Sequence, residues 1–368
     1  MVRSFCSKSI VLLFLLIVPV SCNNNNKSQW NVPNRTWTLS TIAGSAGFAS
    51  SIARDSNDKL HISYYDGINN AVAYISNATG TWSPSTTVDT TIGNVAGNVS
   101  TAIAVDSTDT VHISYGSYTR NKLLYATVSA GTWTTSTVDS ALIRHTSIAT
   151  DSNNNVHIGY YDQGTGAYKY ATNANGSWDT TTLDTSSFTD GSCSIAIDSH
   201  DKVHVVYMGS STGSNNDVMY ATNASGTWKK STIVPGRSDS ASGVSIARDS
   251  RDRIHISYYD AVYAVLMHAT NASGAWTTEV VDDWAYSGVV SSIAVGPHDN
   301  IHIAYSYFAP DGSYLTYATQ VNGIWWAWTL DNVGVAGFSC SITTDSNDRP
   351  HISYWDGNFS NLKYATAE

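Results

Sequence analysis

In four predicted loops an aromatic residue directly precedes an aspartate, a combination that suits sugar recognition. The pairs are Tyr65–Asp66, Tyr161–Asp162, Tyr259–Asp260 and Trp355–Asp356. An aromatic ring offers an apolar surface on which the C–H face of a sugar packs, and a carboxylate accepts hydrogen bonds from hydroxyl groups. We therefore predict that these eight residues bind a ligand, and we predict no catalytic residue, metal ion or cofactor.

A second recurring set of polar residues has the composition of a metal site. It follows the pattern D-x-x-[DN]-x-x-H, as in Asp55, Asp58 and His61, and Gly296 replaces the first aspartate in one copy. Such side chains can bind zinc or calcium. However, a network that builds every repeat must recur, whereas a single ligand site need not. We interpret the set as structural, with acids that cap turns and occupy left-handed turn positions.

These polar residues belong to a repeat with seven copies. In every copy a histidine follows the anchor isoleucine by nine residues, and a tyrosine follows three residues later. The histidines are His61, His112, His157, His204, His255, His302 and His351. A strict repeat of this length is typical of propellers and solenoids.

Each copy predicts four short antiparallel strands. In the first copy, strand A covers residues 51–54, a turn follows at residues 55–58, and strand B alternates over residues 60–65. Strand C covers residues 71–76, and a glycine turn with Trp82 begins strand D. Four strands in each of seven copies predict an all-β, seven-bladed β-propeller.

The two ends of the chain predict how the ring closes. The seventh copy ends after strand C at residues 364–366, and residues 35–41 match the strand D sequence of residues 131–137. We therefore expect the N-terminal strand to complete the C-terminal blade, which removes a free sheet edge. The seven repeat tryptophans should pack between neighbouring blades; they are Trp37, Trp82, Trp133, Trp178, Trp228, Trp276 and Trp325.

The first residues read as an export signal. Residues 1–22 carry Arg3 and Lys8 before an apolar run too short to span a bilayer. Cys22 follows a small residue and resembles the lipidated cysteine of bacterial lipoproteins, although Pro19 departs from that motif. We expect a signal peptide over 1–22, an asparagine-rich tether over 23–34 and a propeller over 35–368. The protein would then be anchored in the bacterial cell envelope, or secreted if Cys22 is not lipidated.

The net charge of −10 and the absence of a run of lysine or arginine argue against nucleic acid or an anionic membrane surface as partners. We expect a monomer. Cys193 and Cys340 lie in the fourth and seventh copies, three steps apart around a ring. Because a disulfide needs Cα atoms within about 7 Å, we expect two buried free thiols.

Function should lie where the copies differ, in the loops between strands B and C and between strands D and A. Besides the four pairs, the B–C loops carry Tyr118, Arg120, Tyr307 and Phe308. The D–A loops carry Arg144, His145, Phe188, Asp190, Arg237, Asp239, Asp283, Trp284, Tyr286 and Phe338. In a propeller both sets of loops emerge on the same face.

The units DSNDKLHISYYD and KYATNANGSW resemble those of exported bacterial β-propellers, near the sialidase-like (Asp-box or BNR) and propeller-lectin families. The resemblance implies a propeller over residues 35–368. It does not carry sialidase catalysis to this chain. Trp228 follows Gly226 by two residues where an Asp box has three, and no motif supplies the arginine triad or the Tyr–Glu nucleophile pair.

Three functions remain open from the sequence. The first is non-catalytic, lectin-like glycan binding through the B–C and D–A loops. The second is a protein-interaction scaffold of the cell envelope, because tyrosine also suits protein interfaces. The third is a glycoside hydrolase or sialidase-like enzyme, which would need two carboxylates at a defined separation.

Overall fold

The computed structural model describes residues 35–44, 47–92, 100–185, 191–210, 217–236, 243–284, 286–333 and 335–367. These residues form 28 strands and no helix, and none of them belongs to a helix long and apolar enough to cross a membrane. The predicted signal peptide 1–22 with Cys22 and the tether 23–34 lie outside the described residues. So do four of the predicted loop residues: Phe188, Asp190, Arg237 and Asp239.

The strands form seven four-stranded antiparallel sheets, which we number as blades in chain order. The first strand is β1 (Trp37–Ala43), and blade one follows with β2 (Phe48–Arg54), β3 (Leu60–Asp66), β4 (Ala71–Ser76) and β5 (Thr86–Asp89). Blade two contains β6 (Thr101–Val105), β7 (Val111–Ser117), β8 (Lys122–Ser129) and β9 (Thr132–Asp139). Blade three contains β10 (Ile143–Thr150), β11 (Val156–Asp162), β12 (Ala167–Thr172) and β13 (Asp179–Asp184).

The remaining blades repeat this order. Blade four contains β14 (Cys193–Ile197), β15 (Val203–Gly209), β16 (Asp217–Thr222) and β17 (Lys229–Val234). Blade five contains β18 (Val244–Arg248), β19 (Ile254–Asp260), β20 (Val265–Thr270) and β21 (Thr277–Asp282). Blade six contains β22 (Ser287–Val295), β23 (Ile301–Ala309), β24 (Gly312–Val321) and β25 (Ile324–Asp331). Blade seven contains β26 (Ala336–Thr344), β27 (Pro350–Asp356) and β28 (Asn361–Ala367).

The ring closes through the N-terminal strand, as predicted from the two chain ends. β1 pairs antiparallel with β28, with Trp37 opposite Ala367 and Ser40 opposite Tyr364, and so completes blade seven. The predicted all-β, seven-bladed propeller is confirmed.

One strand begins later than predicted. In blade one, strand D starts at Thr86 rather than at Trp82. Pro84 lies between them and has no N–H to donate to the ladder, so regular pairing with β4 resumes only at Thr86.

The recurring acids build the turns between strands A and B, which confirms the structural interpretation. Asp55 Oδ1 accepts the N–H groups of Asn57 (2.9 Å) and Lys59 (2.7 Å) within its own turn. The second acid reaches the preceding blade: Asp109 of blade two accepts the N–H (2.7 Å) and the hydroxyl (2.8 Å) of Ser56 in blade one. All seven residues at this second position have a positive φ; they are Asp58, Asp109, Asn154, Asp201, Asp252, Asp299 and Asp348.

The repeat histidines connect these turns to the core. His61 Nε2 lies 3.2 Å from Asp55 Oδ2, and its Nδ1 lies 2.6 Å from the Tyr74 hydroxyl on strand C. The ring of Tyr74 then meets Trp133 of blade two edge-on, at 5.2 Å between centroids. All seven repeat tryptophans make such an interblade ring contact, so their predicted packing role is confirmed. Blade five differs from the others because His268 takes the place of the tyrosine.

Serines on the inner strands join neighbouring blades near the ring centre. The N–H of Ile103 donates to Ser51 Oγ (3.3 Å), and the N–H of Ile52 donates to Ser341 Oγ (3.2 Å) across the closing seam. Cys193 and Cys340 lie on inner strands of blades four and seven and are buried and free, as predicted. Burial raises the pKa of both thiols to about 12, so neither is a reactive thiolate at neutral pH.

Candidate functional site

One face of the ring carries both the B–C turns and the D–A loops, and we call it the loop face. Backbone hydrogen bonds join the two kinds of loop there. The N–H of Gly357 in the blade-seven B–C turn donates to the carbonyl of Val335 (2.6 Å). The N–H of Tyr286 in the loop before blade six donates to the carbonyl of Ala264 (2.7 Å) in the blade-five B–C turn. The loop face is therefore a surface supported by hydrogen bonds between loops.

The aromatic members of the four predicted pairs lie at the loop-face ends of the B strands. Tyr65, Tyr161 and Tyr259 are buried, and Trp355 is half-buried. The Tyr65 hydroxyl donates to Asn70 Oδ1 (2.9 Å), and the Trp355 ring packs edge-on against Phe48 (5.5 Å). The sequence predicted open ring platforms, and these rings instead support the loops above them. Whether they contact a ligand stays a prediction.

The aspartates of the same pairs hold the B–C turns in place. Asp66 accepts the N–H groups of Ile68 (3.0 Å) and Asn69 (3.1 Å), while Asp356 accepts the N–H of Asn358 (3.1 Å). Asp162 and Asp260 cap their turns through the same oxygen, Oδ1. A side-chain carboxylate that accepts the N–H two residues later is the stabilising element of an Asx-turn.

The surroundings of Asp162 change its acidity. Burial raises its pKa, but hydrogen bonds from Thr165 (2.7 Å) and Lys169 outweigh that effect and hold the pKa below its ordinary value. Lys169 lies 3.0 Å from Asp162 and 3.2 Å from Asp139, at the half-buried end of strand D in the preceding blade. The Asp162 carboxylate therefore stays ionised at neutral pH.

The capped turns display apolar residues to solvent. Ile68 is 67% exposed, Tyr263 60% and Phe359 66%, and each follows the aspartate of its turn by two or three residues. The N–H of Tyr263 itself donates to Asp260 Oδ1 (3.1 Å). Large exposed apolar side chains grouped on one surface indicate a binding surface.

An aromatic cluster with a neighbouring carboxylate lies on the blade-six side of the loop face. Trp284 is 56% exposed and meets Tyr307 edge-on at 5.2 Å. Tyr307 lies directly opposite Tyr314 on the β23–β24 hairpin, with ring centroids 5.9 Å apart. The tip of that hairpin carries the exposed Asp311, which accepts a hydrogen bond from the Tyr314 hydroxyl and so raises the pKa of Tyr314. We call Trp284, Tyr307, Tyr314 and Asp311 the blade-six cluster.

Tyr286 lies beside this cluster in an unusual backbone conformation. It has a φ of 64° and is 59% exposed. Positive φ costs a bulky residue free energy, and it persists where the surroundings hold it. Its N–H donates to Ala264 and its carbonyl accepts the N–H of Phe308 (3.2 Å). The loop that carries Trp284 is thus fixed between the hairpins of blades five and six.

Among the described residues, the charged side chains that blades five and six carry on the loop face are all acidic. In residues 243–284 and 286–333, which are the described parts of blades five and six, the basic side chains are Arg248, Arg251 and Arg253. These three lie at the A–B turn, on the opposite face from the cluster. The loop face of the same blades carries five aspartates, of which Asp283 and Asp311 are exposed: Asp260, Asp282, Asp283, Asp311 and Asp331.

Sequence reasoning found part of this site. Trp284, Tyr286 and Tyr307 were among the predicted loop residues, whereas Tyr263, Tyr314 and Asp311 were not. Tyr314 could have been found because a short hairpin places it directly opposite Tyr307. Among the described residues, no group of three or more histidine, cysteine, aspartate or glutamate side chains is arranged to hold a metal ion.

Comparisons with known proteins show the fold and no family. No protein-family model matches the sequence, and no curated protein matches it significantly. Among solved structures, a polysaccharide lyase PL25 ulvan lyase is 10% identical, with a TM-score of 0.66 over 88% of this chain and 94% of that chain. Virginiamycin B lyase from Staphylococcus aureus is 14% identical, with a TM-score of 0.60 over 90% and 99%. The Aleuria aurantia lectin, in complex with Fucα1-6GlcNAc, is 12% identical, with a TM-score of 0.51 over 79% and 98%. At these identities the likeness establishes the propeller architecture alone.

Proposed function

We propose that this protein is a non-catalytic glycan-binding propeller whose loop face carries the ligand site. The observation that carries the proposal is the blade-six cluster, where the exposed Trp284 stands against Tyr307 and the carboxylate of Asp311 adjoins Tyr314. A fixed aromatic surface packs on the apolar face of a sugar ring, and a neighbouring carboxylate accepts its hydroxyls. These are the chemical groups that the sequence predicted, on residues that solvent reaches.

The eight predicted pair residues have a supporting part in this proposal. Their aspartates fix the B–C turns, and their rings fill the space beneath the D–A loops. Trp355, the half-buried ring, is the member best placed to touch a ligand directly. Two structural neighbours are named for glycans: the ulvan lyase structure is described as bound to a GlcA–sulfated rhamnose unit, and the lectin structure as a complex with Fucα1-6GlcNAc.

The test is a glycan-array screen of residues 35–368. Two variants accompany the wild type: Trp284→Ala/Tyr314→Ala, which removes two rings of the cluster, and Trp355→Ala/Asp356→Ala, which removes one predicted pair. Binding by the wild type that fails in the first variant supports the proposed site. Loss only in the second would move the site to blade seven, and a folded wild type that binds no glycan would contradict the proposal.

A protein-interaction scaffold is the second candidate, favoured by a different part of the loop face. Ile68 of blade one, Phe359 of blade seven and Val333 of the preceding D–A loop are 59–67% exposed. These three side chains have no polar group to pair with sugar hydroxyls, so they fit an apolar protein surface better than a sugar. A pull-down from cell-envelope extract with wild type and Ile68→Ser/Phe359→Ser separates the two functions, since the glycan site predicts no loss of sugar binding in that variant.

A glycoside hydrolase is not favoured by the acidity of Asp162, one of the predicted pair residues. A hydrolase needs one carboxyl group whose pKa is raised so that it can donate a proton. The pKa of Asp162 is lowered, and its oxygens are occupied by Gly164, Thr165 and Lys169. Turnover of chromogenic glycosides by the wild type, abolished by a single aspartate change, would overturn this assignment.

We propose that the propeller is exported as a monomer and held in the bacterial cell envelope through lipidated Cys22. This rests on the sequence of residues 1–22 alone. Mass spectrometry of the protein from membranes of an expressing bacterium should find a lipid on Cys22. A Cys22→Ser variant should move to the soluble fraction, and equal partition of both proteins would contradict the anchor.

A further inference from the structure

We propose that the blade-six cluster selects glycans with a positive charge, namely oligosaccharides of unacetylated amino sugars. This inference rests on the proposed glycan-binding function and adds the ligand class. It starts from the acidic side chains that blades five and six carry on the loop face beside the aromatic rings.

Two exposed carboxylates flank the aromatic surface. Asp311 stands at the hairpin tip beside Tyr314, and Asp283 directly precedes Trp284 in the chain. Asp282, the next acid, is engaged: it accepts the Tyr305 hydroxyl (2.6 Å) and the N–H of Trp284 (3.2 Å). Asp311 of the cluster and the adjoining Asp283 are thus the acids that solvent and a ligand can reach.

No described lysine or arginine of blades five and six lies on this face to neutralise them. An acidic glycan would therefore meet repulsion at this cluster. Elsewhere on the loop face acids are paired: Lys169 contacts Asp162 of blade three, and Lys363 contacts Asp331 at the end of blade six and Asp356 of blade seven. The charge asymmetry distinguishes the blade-six cluster from the rest of the loop face.

A protonated amino sugar fits both features of the cluster. Its ring face can pack on Trp284, and its ammonium group can lie over a tyrosine face while it pairs with Asp311 or Asp283. An N-acetylated sugar has the same ring without the charge. It should bind through the rings and through its hydroxyl groups without the ion pair, and so more weakly.

The experiment compares two ligands with the same sugar ring, one with free amino groups and one in which N-acetylation removes the charge. Affinities of residues 35–368 for a glucosamine tetramer and an N-acetylglucosamine tetramer are measured by calorimetry at low and high salt. We expect the glucosamine tetramer to bind about fivefold more tightly at low salt. Because exposed charges are screened, the difference should shrink at high salt.

Two variants distinguish the selection of charged glycans from glycan binding itself. Asp283→Asn/Asp311→Asn should abolish the preference for glucosamine, so that the two tetramers bind with equal affinity, and Trp284→Ala should weaken the binding of both. Equal affinity of the wild type for the two tetramers would overturn the charge selection and leave glycan binding standing. If no neutral or charged glycan binds to the folded protein, the proposed function fails and this inference fails with it.

Discussion

Asp348 Oδ1 of blade seven lies 3.4 Å from Nε2 of His302 in blade six. In the other blades, the corresponding histidine meets the aspartate of its own turn, as His112 meets Asp106 at 3.0 Å. Blade six has Gly296 at that position, and a Cβ built there would lie 1.5 Å from Asp348 Oδ1. The neighbouring blade thus supplies the carboxylate that the repeat lacks, through the space that the glycine leaves.

Restoring the repeat at this position should therefore destabilise the protein. In Gly296→Asp the new side chain meets Asp348, so we expect a loss of about 2 to 3 kcal/mol in the free energy of unfolding. Asp348→Ala should cost about 1 to 3 kcal/mol because it leaves His302 unpaired. The double variant should lose less free energy of unfolding than the sum of the losses in the two single variants. Urea unfolding of all three variants measures this. Strict additivity would contradict the shared site.

The histidine pair of blade five gives a second prediction. His255 Nδ1 lies 3.0 Å from His268 Nε2, and His268 Nδ1 lies 3.0 Å from Glu279 Oε1. In His268→Tyr a hydroxyl can donate to His255, as Tyr220 does to His204. We expect the free energy of unfolding of His268→Tyr to lie within about 1 kcal/mol of wild type. His268→Leu leaves His255 without this partner and should lose about 1 to 3 kcal/mol.

The same substitution should change the acidity of His255. Burial and the neighbouring His268 hold the pKa of His255 at about 4. Removal of His268 takes away one of these two causes, so the pKa of His255 should rise in His268→Tyr. NMR titration of the imidazole resonances measures this, and an unchanged or lower pKa would contradict the assignment.

The propeller should lose stability in mild acid because of its buried histidines. Burial lowers the pKa of five of them: His61, His157, His204, His255 and His351. In the unfolded chain these histidines bind protons near pH 6.5, whereas in the folded chain they stay neutral to lower pH. The free energy of unfolding should therefore be highest above about pH 6.5 and should fall as the pH drops toward 4.

Denaturant unfolding at a series of pH values measures this loss. His61→Gln should make the free energy of unfolding less sensitive to pH between about 6.5 and 4. His200→Gln is the matched control, since His200 is exposed on an A–B turn and should leave the profile unchanged. A flat wild-type profile over this range would contradict the histidine account.

Ring closure by β1 can be tested by truncation. A chain that begins at residue 35 keeps β1 and should remain a folded monomer. A chain that begins at residue 44 exposes the edge of β28 and leaves Tyr317 without its contact to Trp37 at 4.8 Å. We expect it to associate or to lose cooperative unfolding. Size-exclusion chromatography measures their association, and thermal unfolding measures their cooperativity. If the two truncated proteins have the same size and the same unfolding transition, ring closure by β1 is contradicted.

The strict repeat made the fold and its turn chemistry predictable. Isoleucine, histidine and tyrosine recur in fixed register, so one structural interpretation applies to every copy. Departures from the repeat were harder to interpret, because the residue that replaces a missing side chain can come from another blade. No local pattern connects Gly296 to Asp348, 52 positions later in the chain.

The candidate site was predicted only in part for a related reason. An aromatic residue before an aspartate looks the same in sequence whether its ring is open or covered. In blade three the backbone at Gly191 covers Tyr161: a Cβ at that glycine would lie 1.9 Å from Tyr161 Cδ1. Exposure depends on how the D–A loop packs, which the residues of the B–C turn do not encode.

The affinity of the blade-six cluster for a glycan tests the central claim most directly. Calorimetry with the strongest array ligand would compare wild type, Trp284→Ala/Tyr314→Ala and Ile324→Ala. Ile324 is 54% exposed in the C–D turn of the same blade, away from the loop face, and is the control. We predict that the first variant loses about tenfold or more in affinity while Ile324→Ala matches wild type. Equal affinity of all three proteins would contradict a glycan site at the blade-six cluster.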